Sequence, residues 1–151
     1  MSGTATRFTP FESSIIDMEG FKSNSYRDTR GNATIGFGFK EGPAKGMKNI
    51  SQEQALKLFR EYYMPTARQA AVKFVGTDVY SSLTGAQRLA LVDMAYNMGE
   101  KGLSKFVDTR KAILNKDWVR AGAEILNSDY AKQLPGRARR NAKRMVTGVE
   151  E

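Results

Sequence analysis

Apolar residues recur at helical spacing near the start of the chain. Phe11, Ile15 and Met18, with Ile16 beside them, make one face of a helix. Thr9-Pro10-Phe11-Glu12 is a start signal: Thr9 caps, Pro10 suits the first helical position and Glu12 closes a capping box. Gly20 is the stop. Glu19 therefore falls in the last turn, where the helix dipole disfavours a negative charge, an odd structural choice of residue.

From Ser23 the pattern turns to β. Ser23 to Arg27 reads as a strand, Asp28-Thr29-Arg30-Gly31-Asn32 carries turn chemistry, and Ala33 to Phe39 alternates. Ala33, Ile35, Phe37 and Phe39 share one predicted face. Thr34, Gly36 and Gly38 leave the other nearly bare, open to a close approach by a substrate or another strand. Lys40 to Ile50 is a Gly/Lys-rich loop. Ser51 and Gln54 open a second helix with Ala55, Leu58, Phe59 and Tyr62 inward; Pro65 is expected to kink or end it before helix resumes to about Val75.

Beyond Leu83 the chain reads as helix throughout. Thr84 and Gln87 cap a segment with Leu89, Val92, Met94, Ala95 and Met98 inward, and Gly99 and Gly102 break it. Shorter helices follow at Val107–Leu114 and Trp118–Leu126, with Trp118 as a buried anchor. Pro135-Gly136 separates a last one, Arg137 to Val146. The fold class is α+β: a small lobe with a β-hairpin sheet (about 12–50), a connecting helix (about 51–76) and a larger helical lobe (about 77–147).

Composition narrows the chemistry. With no cysteine and no histidine among 151 residues, disulfides, Ser-His-Asp and Cys-His hydrolases, and the usual zinc sites are excluded. Carboxylates, hydroxyls, Lys, Arg and Tyr remain. No metal or organic cofactor is implied. The net charge of +8 favours polyanionic partners without choosing among nucleic acid, membrane surface and bacterial envelope. No apolar run is long enough to span a membrane, and no secretory signal is seen.

Glu19 ends a helix, Asp28 sits at a hairpin turn and Thr34 points from the bare face of the return strand. An inverting glycosidase uses such a set: one carboxylic acid protonates the leaving oxygen, and a carboxylate about 6.5–9.5 Å away activates water. Spacing alone also fits solvated surface carboxylates and an ordinary strand hydroxyl.

Glu19 to Gly38 resembles the active-site hairpin of the T-even phage lysozymes, glycoside hydrolase family twenty-four. That signature has Glu, Asp nine positions on and Thr six further, ahead of Ile-Gly-x-Gly. Glu19, Asp28 and Thr34-Ile35-Gly36-Phe37-Gly38 reproduce it, with Tyr26 at the family's aromatic position. Leu89 to Gly99, then Gly102 and Phe106, resemble the buried helix of the larger lobe. Tyr130 to Arg140 resembles the segment ending in Pro-x-Arg-Ala-x-Arg.

The resemblance implies that Glu19 is the general acid and that Asp28 and Thr34 hold and activate the attacking water. It implies that Arg137 pairs with Glu19 and that Tyr96 and Thr109 contact sugar. The substrate would be peptidoglycan, cut at the β-1,4 bond after N-acetylmuramic acid in a cleft between the lobes. The chain also departs from the family. Phe39 replaces a histidine and so removes a salt bridge, a loss expected to touch stability rather than catalysis. Lys40 and Glu124 replace an apolar and an amide cleft residue, and the loop from Lys40 to Ile50 is short.

The expected setting is a monomeric endolysin that serves cell lysis, held in the host cytoplasm until a holin-type pore releases it to the cell wall. A tail-associated lysozyme or secreted toxin domain would read alike. The rivals are a nucleic-acid binder, which the hairpin disfavours, and a membrane-active cationic protein without catalysis. Both would use the basic run Arg137, Arg139, Arg140, Lys143 and Arg144, read as mostly a solvated helix face.

Overall fold

In the computed structural model, which describes residues 8–150, helix α1 (Pro10–Glu19) starts on the predicted capping box. The Thr9 hydroxyl accepts from the Glu12 N–H at 3.0 Å, and the Glu12 carboxylate accepts from the Thr9 N–H at 3.0 Å. Gly20 ends the helix at φ +69°, a left-handed value that glycine adopts without a Cβ penalty, so Glu19 is the final helical residue.

Strands β1 (Lys22–Arg27) and β2 (Ala33–Gly36) pair antiparallel, with Tyr26 opposite Thr34 and Arg27 opposite Ala33. Toward Lys22 the register slips. There the Ser25 N–H donates to the Lys48 carbonyl and the Ile50 N–H to the Ser23 carbonyl, so the end of the Lys40–Ile50 loop lies along β1.

The alternation predicted from Ala33 to Phe39 does not hold as one strand. Gly36 and Gly38 take φ of +68° and +78° and reverse the chain, and Ile35 and Phe39 exchange backbone hydrogen bonds of 3.0 and 2.8 Å. Ile35, Phe37 and Phe39 are buried as expected, but Ala33 is exposed and Thr34 is buried.

Helix α2 (Gln52–Leu58) carries the Ser51/Gln54 capping box. A π turn, Phe59–Tyr63, leads directly into α3 (Met64–Val75). Pro65 was expected to kink or end the helix, yet the backbone stays helical through it, because the wider π turn absorbs the proline. The Met64 N–H reaches back to the Phe59 carbonyl, five residues away. The extra residue in that turn also rotates the following side chains. Tyr62, expected inside, is exposed, while Tyr63 stacks on Phe39 with centroids 3.9 Å apart.

The chain divides into two compact units between Pro65 and Thr66. The first is packed around Ile15, Ile35, Phe37, Phe39, Ala55 and Phe59, all essentially without solvent exposure. Phe37 meets Phe21, Phe39 and Phe59 at centroid distances of 5.4, 6.1 and 5.9 Å. Arg60 grips both Glu12 oxygens, at 3.2 and 3.3 Å, tying the π turn to α1.

The second unit contains α4 (Thr77–Ser82), α5 (Gly85–Ser104), α6 (Val107–Leu114), α7 (Trp118–Leu126), α8 (Asp129–Gln133) and α9 (Pro135–Thr147). Every residue from Leu89 to Ala95 of α5 is buried, so the helix is enclosed around its whole circumference, with Asp93 as the one charged residue of that span. Gly99 breaks α5 at φ +76°, whereas Gly102, also expected to break it, stays helical. Trp118 is partly exposed rather than a buried anchor. Gly122 lets α7 approach α9: a methyl group there would overlap Val146 and press on the Ala142 carbonyl. The architecture is α+β, a two-stranded sheet among helices.

Candidate active site

The hairpin turn is organised by Asp28. Its Oδ1 accepts from the Arg30 N–H at 2.9 Å and the Asn32 N–H at 2.8 Å. The Asp28 N–H donates to the Asn32 carbonyl, the Gly31 N–H donates to the Asp28 carbonyl, and the Arg27 guanidinium closes the turn on the Gly31 carbonyl. Oδ2 faces the Asn32 amide at 3.5 Å and the Lys40 ammonium at 3.4 Å. Burial pushes this carboxyl up, but the Asn32 and Arg30 N–H groups and the Lys40 charge outweigh it and hold Asp28 below its ordinary value. It is therefore a carboxylate wherever the protein is near neutral pH. Its contribution to stability is present above the unfolded pKa and fades as pH falls through the lower folded one.

Thr34 lies one turn of the hairpin away and donates its hydroxyl proton to the Asn32 carbonyl at 2.9 Å, which leaves the oxygen as an acceptor. It is 2% exposed. Tyr26, directly across the ladder, shares its face. Burial, then the charge of Glu19, then that of Asp28 push the Tyr26 hydroxyl up, so one phenol senses both carboxylates. Glu19 and Asp28 thus both act electrostatically on Tyr26, which pairs with Thr34 across the ladder, within the first unit. Counting outward from the Asp28–Asn32 turn pairs Tyr26 with Thr34, a signal for Tyr26 that the sequence already contained.

Against the bare face of the return segment lies the Glu19 side chain itself. A Cβ on Gly38 would overlap the Glu19 carboxyl group. The glycine required by the reversal at φ +78° is the same glycine that admits the carboxylate. Gly38→Ala is accordingly expected to lower activity on cell walls at least about tenfold, because Glu19 must swing away. The strained backbone should also cost about 1 kcal/mol of stability. Turnover and thermal denaturation, measured together, separate the two effects.

In the second unit Arg137 forms a bidentate pair with Asp93, at 2.9 and 2.6 Å, with both side chains nearly closed to solvent. Asn141 donates to Asp93 at 2.8 Å and to the Tyr130 hydroxyl at 2.9 Å, and Arg144 donates to the Asn141 carbonyl oxygen at 2.8 Å. Burial, then the Asp93 charge, push the Tyr130 hydroxyl up, so it stays protonated. No sequence pattern announced Asp93. Of the basic run, Arg137 and Arg144 belong to this network, and Arg139, Arg140 and Lys143 form the solvated face. Tyr96 is partly exposed, whereas Thr109 is 1% exposed. Among the departures from the family pattern, Phe39 fills its place by stacking on Tyr63, and Glu124 pairs with Arg120 at 2.8 Å.

Known proteins are similar to this chain over most of its length. A probable T4-type lysozyme of Dictyostelium discoideum is 29% identical, over 91% of this chain and 96% of that protein. The pre-baseplate central spike protein of Enterobacteria phage T4 is 27% identical over 86% of this chain, which corresponds to 26% of that longer protein. A peptidoglycan hydrolase of Pseudomonas phage phiKMV is 28% identical over 87% of this chain and 14% of its own length. The phage lysozyme family pattern matches residues 16–144, a span that takes in the hairpin, the buried helix α5 and the Arg137 segment together, and the chain belongs to that family.

Proposed function

We propose that the chain is a muramidase that cleaves the β-1,4 bond between N-acetylmuramic acid and N-acetylglucosamine in peptidoglycan, with inversion. Lysozyme-type cell-wall hydrolysis, a glycoside hydrolase chemistry, follows from the family; the bond, the stereochemistry and the residue roles are the proposal. The observation that carries it is a hairpin unit that holds the Glu19 carboxyl over Gly38, Asp28 in the turn and Thr34 on the return strand opposite Tyr26, on which both carboxylates act electrostatically.

Glu19 protonates the glycosidic oxygen. Asp28, held ionised, and the acceptor oxygen of Thr34 fix and activate the water that attacks the anomeric carbon from the other side. The enclosure of Thr34 suits a water rather than a sugar ring. The role expected for Arg137 and the sugar contact expected of Tyr96 belong to the same proposal. So do a single-chain acting form, a role in cell lysis and release from the host cytoplasm through a holin-type pore. Among the described residues no helix is long and apolar enough to cross a membrane.

The deciding experiment is mass spectrometry of purified peptidoglycan after digestion. Fragments with reducing N-acetylmuramic acid ends support the proposal. Anhydro ends would point to a lytic transglycosylase, and intact glycan would return the basic surface to the foreground. A second expectation concerns salt. With a net charge of +8 against an anionic wall, the rate at low substrate should fall about threefold or more as ionic strength rises from 0.1 to 1 M, as the Debye length shrinks from about 10 to about 3 Å. Initial rates on purified peptidoglycan across a salt series check it, and a flat response would remove electrostatic attraction from the account.

A further inference from the structure

The sequence assigned Lys40 no task. It follows Phe39, whose ring is fixed by stacking on Tyr63 and whose backbone exchanges two hydrogen bonds with Ile35. The lysine is therefore launched from a rigid corner, and its ammonium reaches Asp28 Oδ2 at 3.4 Å with both side chains partly withdrawn from solvent, 31% and 16% exposed. An ion pair held this way loses less side-chain entropy and is screened less than one between two mobile surface groups.

The division of labour at the carboxylate sharpens the point. Oδ1 is committed to two backbone N–H groups, so Oδ2 is the edge left to handle a water, and Lys40 sits on that edge. The groups facing Asp28 are the Lys40 ammonium on the segment after β2, the Tyr26 hydroxyl on β1, and the Asn32 amide and the Arg30 N–H in the turn. Glu19 reaches the same phenol from the end of α1, and the nearby Arg27 guanidinium is turned to the Gly31 carbonyl. Among the described residues, Lys40 is the cation that contacts the carboxylate.

We propose that Lys40 is a positioning residue for Asp28: its ammonium orients the Oδ2 edge and keeps the carboxylate ionised, which carries hydrolysis to more acidic pH than the hairpin alone would allow. This rests on the muramidase reading for its catalytic consequence, though not for its electrostatic one. The sign follows from the pair. A cation beside a carboxylate favours the ionised form, so its removal lets the proton bind at higher pH, and a rate that needs ionised Asp28 is lost sooner on acidification.

The test follows the Asp28 side-chain carboxyl by carbon-13 NMR through an acid titration of the full chain without substrate, in the unmodified protein, Lys40→Met and Lys40→Arg. The kcat–pH profile on purified peptidoglycan is recorded alongside. The Asp28 midpoint is expected to move to higher pH in Lys40→Met and to return in Lys40→Arg. At the pH where the unmodified protein keeps half its plateau rate, the Met variant should fall about two- to fivefold lower relative to its own plateau. Addition of 1 M salt should shrink the difference between them.

Equal midpoints in the three proteins would overturn the proposal. So would a raised KM with an unmoved acid limb, which would make Lys40 a substrate contact instead. If Lys40→Met does not fold, Lys40→Gln serves the same comparison. Failure of the muramidase reading is seen separately, as an unmodified protein that releases no reducing ends while its Asp28 midpoint still responds to Lys40.

Discussion

Glu19→Gln is expected to reduce the release of reducing ends from peptidoglycan by about a thousandfold or more while the protein keeps its fold. Glutamine has nearly the shape of glutamic acid, so it still fits over Gly38, where any added Cβ would collide. It cannot give a proton to the glycosidic oxygen, and general acid catalysis of this kind is worth about 10²–10⁴ in rate. Asp28→Asn should be comparably inactive, since the amide has no negative charge for the water. Its amide nitrogen would also confront either the Arg30 and Asn32 N–H donors or the Lys40 ammonium. Thr34→Val keeps the shape and loses an uncharged hydroxyl, both its donor to the Asn32 carbonyl and its acceptor oxygen, so a smaller loss is expected there. Reducing-end release and circular dichroism on the same preparations check all three. Full activity in the Glu19→Gln protein would remove the general acid from the mechanism and leave the hairpin without its central role.

These expectations depend on a site of which about half was legible beforehand, and the division has a physical basis. Local chemistry was readable: the three capping boxes at Thr9, Ser51 and Thr84 close between residues three apart, so sequence contains both partners. The family pattern could nominate Glu19, Asp28 and Thr34 for the same reason, because a helix end and a hairpin are continuous in sequence. Periodicity failed where the backbone changed phase. Alternation from Ala33 to Phe39 assumed one strand, but two positive-φ glycines folded it back, and the π turn put Tyr63 rather than Tyr62 against Phe39. The six-residue α4 and the five-residue α8 are too short for any apolar period to show. Long-range polar pairing was invisible altogether. Arg137 and Asn141 meet Asp93 across 44 and 48 residues, and nothing local marks a carboxylate within an apolar helix as their partner.

That buried network carries the largest expected effect on stability. Asp93→Ala should destabilise the protein by about 3 kcal/mol, because it removes the carboxylate from a buried bidentate ion pair rather than the pair as a whole. Arg137 is 7% exposed and Asn141 is fully buried, so neither donor can turn to bulk water without opening the packing of α9 against α5. For a chain of this size such a loss corresponds to a fall in melting temperature of about 10 °C. Asp93→Asn keeps one acceptor and the shape, and should cost less. Replacing both partners, as Asp93→Leu with Arg137→Met, should recover much of the loss in the single alanine variant, since two apolar groups no longer leave a charge to solvate. Denaturant unfolding of the four proteins reads these differences. Near-equal stability of the unmodified protein and Asp93→Ala would mean that the interior admits water to Arg137 at little cost. Recovery of stability in the double variant without recovery of cell-wall hydrolysis would show that Arg137 is kept for more than holding α9 in place.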